Sequence, residues 1–274
     1  MKDLNCSKDA DIMNSLRGKC AVVTGSTSGI GWGVVSQFAK AGCRVMFHGL
    51  EEESQITNLK EELASFSKDK VAYSSADLVD PDQCRNLIMD ANRQLGKVDI
   101  LVNNAGVQFT APVQNFPPDK WNWLLAINLN APYHLTRTVI PQMYDRKWGR
   151  IIYIASAHGK VGSVNKSGYC ASKHGLMGFS KSVALEAAGT GVTSNCVCPG
   201  WVLTPLVQKQ IDRISEENRI SIDEAKMKLL SEKQPSGEFI RTEDLAAFVV
   251  FLSSDAASQI TGASLSMDGG WTTC

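Results

Sequence analysis

Cys20-Ala21-Val22-Val23-Thr24-Gly25-Ser26-Thr27-Ser28-Gly29-Ile30-Gly31 decides the fold of this chain. The first four residues form a short apolar run of the length a buried strand needs. Three glycines follow, and a helical pattern then continues to Ala41. A strand, a glycine turn and a helix opening are the parts of a βα crossover that receives a phosphate. Glycine permits a sharp turn and close backbone approach, and the helix N-terminus offers unpaired N–H groups and the positive end of its dipole. Alone, such a turn is weak evidence; at the first βα junction it counts for more. The spacing is G-x-x-x-G-x-G, not the common G-x-G-x-x-G.

The same alternation recurs outward along the chain. Val45-Met46-Phe47 precedes a polar helical pattern from Ser54, and Val71-Ala72-Tyr73 precedes a helix starting near Pro81. Ile100-Leu101-Val102 precedes a long helix from Asp119 to Arg146. Ile151-Ile152-Tyr153-Ile154 leads into a helix running through Tyr169 to Ala188. Val192 to Val197 is a sixth strand, and Ala263 to Met267 a seventh, after a helix from Thr242 to Ser253. Strands separated by helix-length connections predict βαβ units and a parallel sheet covered on both faces. Right-handed crossovers narrow this to a doubly wound, Rossmann-type α/β fold. Thr204 to Glu238 interrupts the pattern with one or two helices rich in Lys, Glu and Gln. An insertion of this kind at one end of a sheet serves as a lid or is a solvated excursion. No repeat or linker is present, so Met1 to Ser15 reads as a loose tail and residues 16–274 as a single domain.

The 274 residues suffice for one α/β domain with a substantial core. Lys plus Arg and Asp plus Glu balance at 28 each, leaving no global field to gather nucleic acid or an anionic membrane. No apolar run reaches bilayer-spanning length. The acidic start, with Asp3, Asp9 and Asp11, suits neither a secretory signal nor a mitochondrial transit peptide. The eight cysteines contain no C-x-x-C pair, so metal and thioredoxin-like readings lack their spacing. The expectation is small buried residues in a reducing compartment, the cytoplasm. Cys196 and Cys198, two apart in a strand, share a face.

Tyr169-Cys170-Ala171-Ser172-Lys173 sets a phenol and an amine four residues apart on a helix, facing the same way. A free tyrosine, with a pKa of about 10, is too weak a base at neutral pH. A nearby ammonium is expected to lower it, so that Tyr169 accepts a hydroxyl proton or returns one. Ser156 ends strand five, at the sheet edge where ligands bind in this architecture, and its hydroxyl suits a substrate oxygen. Each residue alone has an ordinary reading: Y-x-x-x-K is common on helices, and a serine before a loop is usually a cap. A serine hydrolase with His158 as base would need a G-x-S-x-G elbow, and none is present.

Taken together, these segments resemble the short-chain dehydrogenase/reductase family. The glycine loop, Asn103-Asn104-Ala105-Gly106 after strand four, and Pro199-Gly200-Trp201-Val202-Leu203-Thr204 after strand six match its motifs in order, over roughly Leu16 to the C-terminus. The resemblance implies a nicotinamide cofactor held by Gly25, Thr27, Ser28, Gly29, Ile30, Asn104, Ala105, Gly106, Pro199, Gly200, Val202 and Thr204, with help from Tyr169 and Lys173. It also implies an adenine contact at Asp77-Leu78, a cofactor position at Leu50, and a catalytic set of Asn128, Ser156, Tyr169 and Lys173, Asn128 belonging to the proton relay. Asp77 also has an ordinary reading as a helix cap before Pro81. At the end of strand two the run is Phe47-His48-Gly49-Leu50-Glu51. Gly49 stands where an NAD-binding Asp is usual, and no NADP-type arginine is present. Glu51 and Glu52 would repel a 2′-phosphate, which favours NAD.

Gln108, His158, Lys166 and Gln210 lie near the catalytic positions in sequence order. A cation with amide and imidazole donors suits a small carboxylate, and Trp201 and Trp271 can cover its apolar part. Ala155 to Gly159, Asn165-Lys166-Ser167, Gly200 to Gln210, Ser231 to Ser236 and Asp268 to Thr272 resemble the soluble bacterial D-3-hydroxybutyrate dehydrogenases within the family. That resemblance implies interconversion of a small hydroxy acid and its keto acid, no metal, and a homotetramer. Two rivals share the fold: an NADPH-dependent 3-oxoacyl thioester reductase, and a nicotinamide-sensing protein without catalysis. The intact Ser156, Tyr169 and Lys173 disfavour the second.

Overall fold

A computed structural model describes residues 15–66 and 69–273. The tail expected at Met1 to Ser15 therefore lies outside the described residues, apart from Ser15. Seven parallel strands form one sheet in the order β3-β2-β1-β4-β5-β6-β7. They are β1 (Cys20–Val23), β2 (Arg44–His48), β3 (Val71–Ser74), β4 (Ile100–Asn103), β5 (Gly149–Ile154), β6 (Val192–Pro199) and β7 (Ser264–Met267). The order reverses between β1 and β4, so their carboxyl ends open a crevice at that switch point.

Alternate strand residues feed two cores, one on each face. Val23, Phe47, Val102 and Ile152 pack against α1 (Gly29–Lys40) and α9 (Thr242–Ser253). Val22, Met46, Leu101 and Tyr153 pack against α3 (Pro81–Leu95), α5 (Ala131–Asp145) and α6 (Ser167–Glu186). Cys196 and Cys198 both belong to this second core, as their spacing requires. β2 leads into α2 (Glu53–Phe66). Among the described residues no helix is long and apolar enough to cross a membrane.

The long helix expected from Asp119 to Arg146 is instead three pieces: α4 (Pro118–Leu125), a wider π-turn over Ala126–Asn130, and α5. Pro132 has no N–H to give to Asn128, so regular i→i−4 bonding fails there, and the Ala131 N–H reaches back to Ala126 O. The wide turn carries Asn128, buried, in its middle. The excursion after β6 is a helix pair, α7 (Pro205–Asn218) and α8 (Ile222–Ser231). Thr204 caps α7, accepting the Val207 N–H at 3.3 Å, and Ser221 with Glu224 forms a capping box on α8. Val207, Ile211, Ala225 and Leu229 form a small core of their own against Trp201. The pair thus sits on the β6 end of the crevice.

Phe38 on α1 is fully buried in the first core. Phe38→Ala is expected to cost about 3–5 kcal/mol, read as a lowered urea midpoint.

Candidate active site

The glycine loop is locked to the end of β4. Asn104 Nδ2 donates to Thr24 O at 2.9 Å and Gly25 O at 2.7 Å. The Thr24 hydroxyl in turn accepts the N–H groups of Asn104 (3.0 Å) and Ala105 (3.1 Å). A Cβ on Gly31 would overlap Gly25 O and Asn104 Nδ2, and one on Gly25 would stand 2.8 Å from Ala105 Cα. Gly29 has φ of +55°, a left-handed conformation that glycine adopts without strain. Helix α1 opens behind it with no side-chain cap at Ser28 and no acid in its first turn, which leaves its positive end for a ligand.

Gly49 has the opposite neighbourhood. A Cβ there would collide with the Glu51 carboxylate and with Thr27. The Thr27 hydroxyl donates to Glu51 Oε1 at 2.6 Å. A carboxylate therefore stands over Gly49 after all, supplied from two residues further along. Leu50 is exposed. Leu78 turns its side chain into the core. Asp77 is not the helix cap: Asp80 caps α3, accepting the Asp82 N–H at 2.8 Å, while Asp77 Oδ1 accepts the Val79 N–H at 3.0 Å.

Behind the loop lies a cavity of about 560 Å³. Ser156, Tyr169 and Lys173 line it, with Gln108, His158, Lys166, Gln210, Trp201 and Trp271. So do Ile30, Asn104, Gly106, Pro199, Gly200, Val202 and Thr204. Gly25, Thr27, Ser28, Gly29, Leu50, Asp77, Leu78 and Ala105 lie outside its lining. Asn128 also lies outside. Its Nδ2 donates to Val107 O (2.9 Å) and Ser172 Oγ (3.2 Å), and its Oδ1 accepts the Val107 N–H (2.8 Å). Its amide braces the segment that carries Gly106 and Gln108. Thr110, Trp123 and Leu206 also line the cavity; no motif or spacing marks them in the sequence.

Ser156 is both a cap and a cavity residue: its Oγ accepts the His158 N–H at 3.2 Å. Lys173 is buried, with Nζ donating to Ile154 O at 2.8 Å, and burial lowers its pKa to about 8. Burial pushes the Tyr169 phenol upward, with its Ser156 hydrogen bond opposing. Lys173 Nζ lies 5.7 Å from the Tyr169 ring centre.

An aromatic and cationic group forms the far wall. Trp201 and Trp271 stack with centroids 6.0 Å apart, and the His158 ring meets Trp271 edge-on at 4.9 Å. Lys166 Nζ is 3.5 Å from His158 Nε2 and 5.7 Å from the Trp201 ring centre. His158 Nδ1 and Trp201 Nε1 are buried with no partner among the described residues. Burial lowers the pKa of Lys166, and neighbouring Lys233 adds to the effect.

Residues 19–214 match the profile of the family described as short chain dehydrogenase. The D-beta-hydroxybutyrate dehydrogenase of Cupriavidus necator is 47% identical over 257 residues, covering 93% of this chain and 98% of the relative. That of Rhizobium meliloti is 44% identical over 254 residues, covering 93% and 98%. The crystal structure of L-sorbose reductase from Gluconobacter frateurii, complexed with NADPH and L-sorbose, superposes with a TM-score of 0.91 at 29% identity, covering 95% of this chain and 99% of that one.

Burial, then Lys166 and Lys233, lowers the His158 pKa from 6.5 to about 4. Between those values the unfolded chain binds a proton that the folded chain excludes, so this contribution to stability is whole above about 6.5 and lost on acidification toward about 4. The melting temperature of the wild type is expected to fall more steeply across that window than that of His158→Gln. Parallel curves would contradict a buried neutral imidazole.

Proposed function

The chain belongs to the short chain dehydrogenase family, and from that premise we propose that it is an NAD-dependent oxidoreductase interconverting D-3-hydroxybutyrate and acetoacetate. One observation carries the substrate class. Lys166, beside His158 in the cavity that holds Ser156 and Tyr169, has no ion-pair partner among the described residues. A partly buried cation with an unpartnered imidazole nitrogen beside it calls for an anion, and a substrate carboxylate supplies one. The names of the two bacterial relatives agree with this reading.

The residues present fit a nicotinamide cofactor. The Gly25–Gly31 loop is a cradle that a Cβ at Gly31 would fill, and the uncapped α1 N-terminus suits a pyrophosphate. The loop residues Gly25, Thr27, Ser28, Gly29 and Ile30 would hold it, with Leu50, Asp77 and Leu78 beyond β2 and β3. Asn104 to Gly106, Pro199, Gly200, Val202 and Thr204, together with Tyr169 and Lys173, would hold its other half. When bound, the cofactor supplies the hydride acceptor or donor and, when oxidised, a positive charge. Glu51, fixed by Thr27 over Gly49, supports NAD: a carboxylate accepts a ribose hydroxyl and repels a 2′-phosphate.

The chain's own residues then divide the work. Lys166, His158, Gln108 and Gln210 bind the carboxylate, and Trp201 and Trp271 cover the rest and exclude water. Ser156 Oγ holds the reacting oxygen. Tyr169 removes the hydroxyl proton during oxidation and returns it during reduction. Asn128 keeps Gly106 and Gln108 in register, and α7–α8 act as the lid of a single domain spanning residues 16–274. A 3-oxoacyl thioester has no free carboxylate to meet Lys166, which disfavours the reductase reading. The cytoplasmic homotetramer implied by the family belongs to this proposal, and the six free cysteines among the described residues agree with a reducing compartment.

The test is absorbance at the reduced-nicotinamide band with NAD and each enantiomer of 3-hydroxybutyrate; turnover is expected with the D form alone. Activity only with NADPH and an acetoacetyl thioester would overturn the assignment. Tyr169→Phe is expected to lower kcat by about 10²–10⁴-fold while NAD still binds. Lys166→Met is expected to raise the KM for D-3-hydroxybutyrate about 10–100-fold, with the KM for NAD unmoved.

A further inference from the structure

His48 ends β2 with its ring buried between two loops. Nδ1 accepts the Gly25 N–H at 2.9 Å, and Nε2 lies 2.8 Å from Ala76 O. A backbone N–H only donates and a carbonyl only accepts. The ring therefore has one solution: proton on Nε2, lone pair on Nδ1, no net charge. Two further bonds between Ser26 and the His48 backbone reinforce the link. The Ser26 N–H donates to His48 O at 2.8 Å, and the His48 N–H donates to Ser26 Oγ at 3.0 Å. Ser26 Oγ passes on to Val23 O at 2.7 Å. One side chain thus ties the glycine loop after β1 to the Ala76-Asp77-Leu78 loop after β3, across the strand between them.

We propose that His48 is a positioning residue, a neutral latch that joins two walls of the cofactor crevice and opens when its ring is protonated. A second ring proton would sit on Nδ1 and face the Gly25 N–H, donor against donor, so the bond that seats Gly25 would be lost. The titratable groups facing the ring are Glu51 from the β2–α2 loop and Asp77 from the β3–α3 loop. The Tyr73 phenol lies close by, donating to Gly49 O at 2.8 Å. The glycine loop from Thr24 to Ser28 contributes no titratable side chain. The two carboxylates favour the imidazolium, but burial outweighs them and holds the ring's pKa below its ordinary value. The latch is therefore closed at neutral pH and is released on acidification. The idea rests on the nicotinamide reading of the crevice and adds a pH dependence to it.

The experiment is calorimetric titration of the wild type, His48→Asn and His48→Leu with NAD from pH 8 down to about 5, around the imidazole range. It is paired with ¹⁵N spectra of the four histidines in the cofactor-free protein. The wild-type Kd is expected to rise on acidification as the His48 ring takes up its second proton. His48→Asn keeps a non-titrating acceptor, Oδ1, for the Gly25 N–H but is too short to reach Ala76 O, so it should bind NAD more tightly than His48→Leu and flatten the acid limb. His48→Leu leaves both backbone groups unpaired and should raise Kd about tenfold or more at every pH. In the spectra, His48 should hold the Nε2–H form at neutral pH. An Nδ1–H form, a charged ring at neutral pH, or the same acid limb in wild type and His48→Asn would overturn the latch alone. Absence of NAD binding to the wild type at every pH would overturn the cofactor reading together with it.

Discussion

The crevice depends on backbone meeting backbone at the switch point between β1 and β4. Asn104 spends both amide hydrogens on the carbonyls of Thr24 and Gly25, and Thr24 returns its hydroxyl to two N–H groups of the β4 loop. Such close approach leaves no room for a Cβ at Gly25 or Gly31. Once these loops are fixed, the N-terminus of α1 points into an opening with nothing of the protein's own to cap it. The loops after β5 and β6 then line up beside it, because parallel strands all end at the same edge.

Burial gives that opening its chemical character. The cavity lowers the proton affinity of His158, Lys166 and Lys173 and raises that of Tyr169. Every one of these shifts opposes charge. The wall is thus a set of donors held short of a counter-charge, an arrangement that favours an incoming carboxylate. Lys173 donates to Ile154 O, and Ser156 opposes the cost of ionising the buried Tyr169 phenol.

Three motif residues in or beside the pocket carry structural duties. Ser156 caps the turn that presents His158. Asn128 sits in a π-turn and holds Val107 from both sides. Trp201 joins the stacked tryptophans of the wall to the small core under α7 and α8. Movement of the helix pair would therefore be felt in the pocket through this indole as well as through Leu206, Val207 and Gln210 of α7.

The sequence by itself determined the sheet, the glycine loop, the catalytic spacing and the family. Those signals are local: a strand's apolar run, a turn's glycines, and two side chains one helical turn apart all lie within a few residues of chain. It also indicated Lys166, His158, Gln108 and Gln210, through short segments that resemble one subfamily. Only the tertiary structure decided what depends on distant parts of the chain meeting. It carried the acid missing at Gly49 across from Glu51 by way of Thr27. It also set the His48 ring between Gly25 and Ala76. Periodicity cannot report these, because hydrogen bonds between loops 20 to 80 residues apart leave no pattern along the chain, and burial, which sets every proton affinity in the pocket, exists only after the walls have closed.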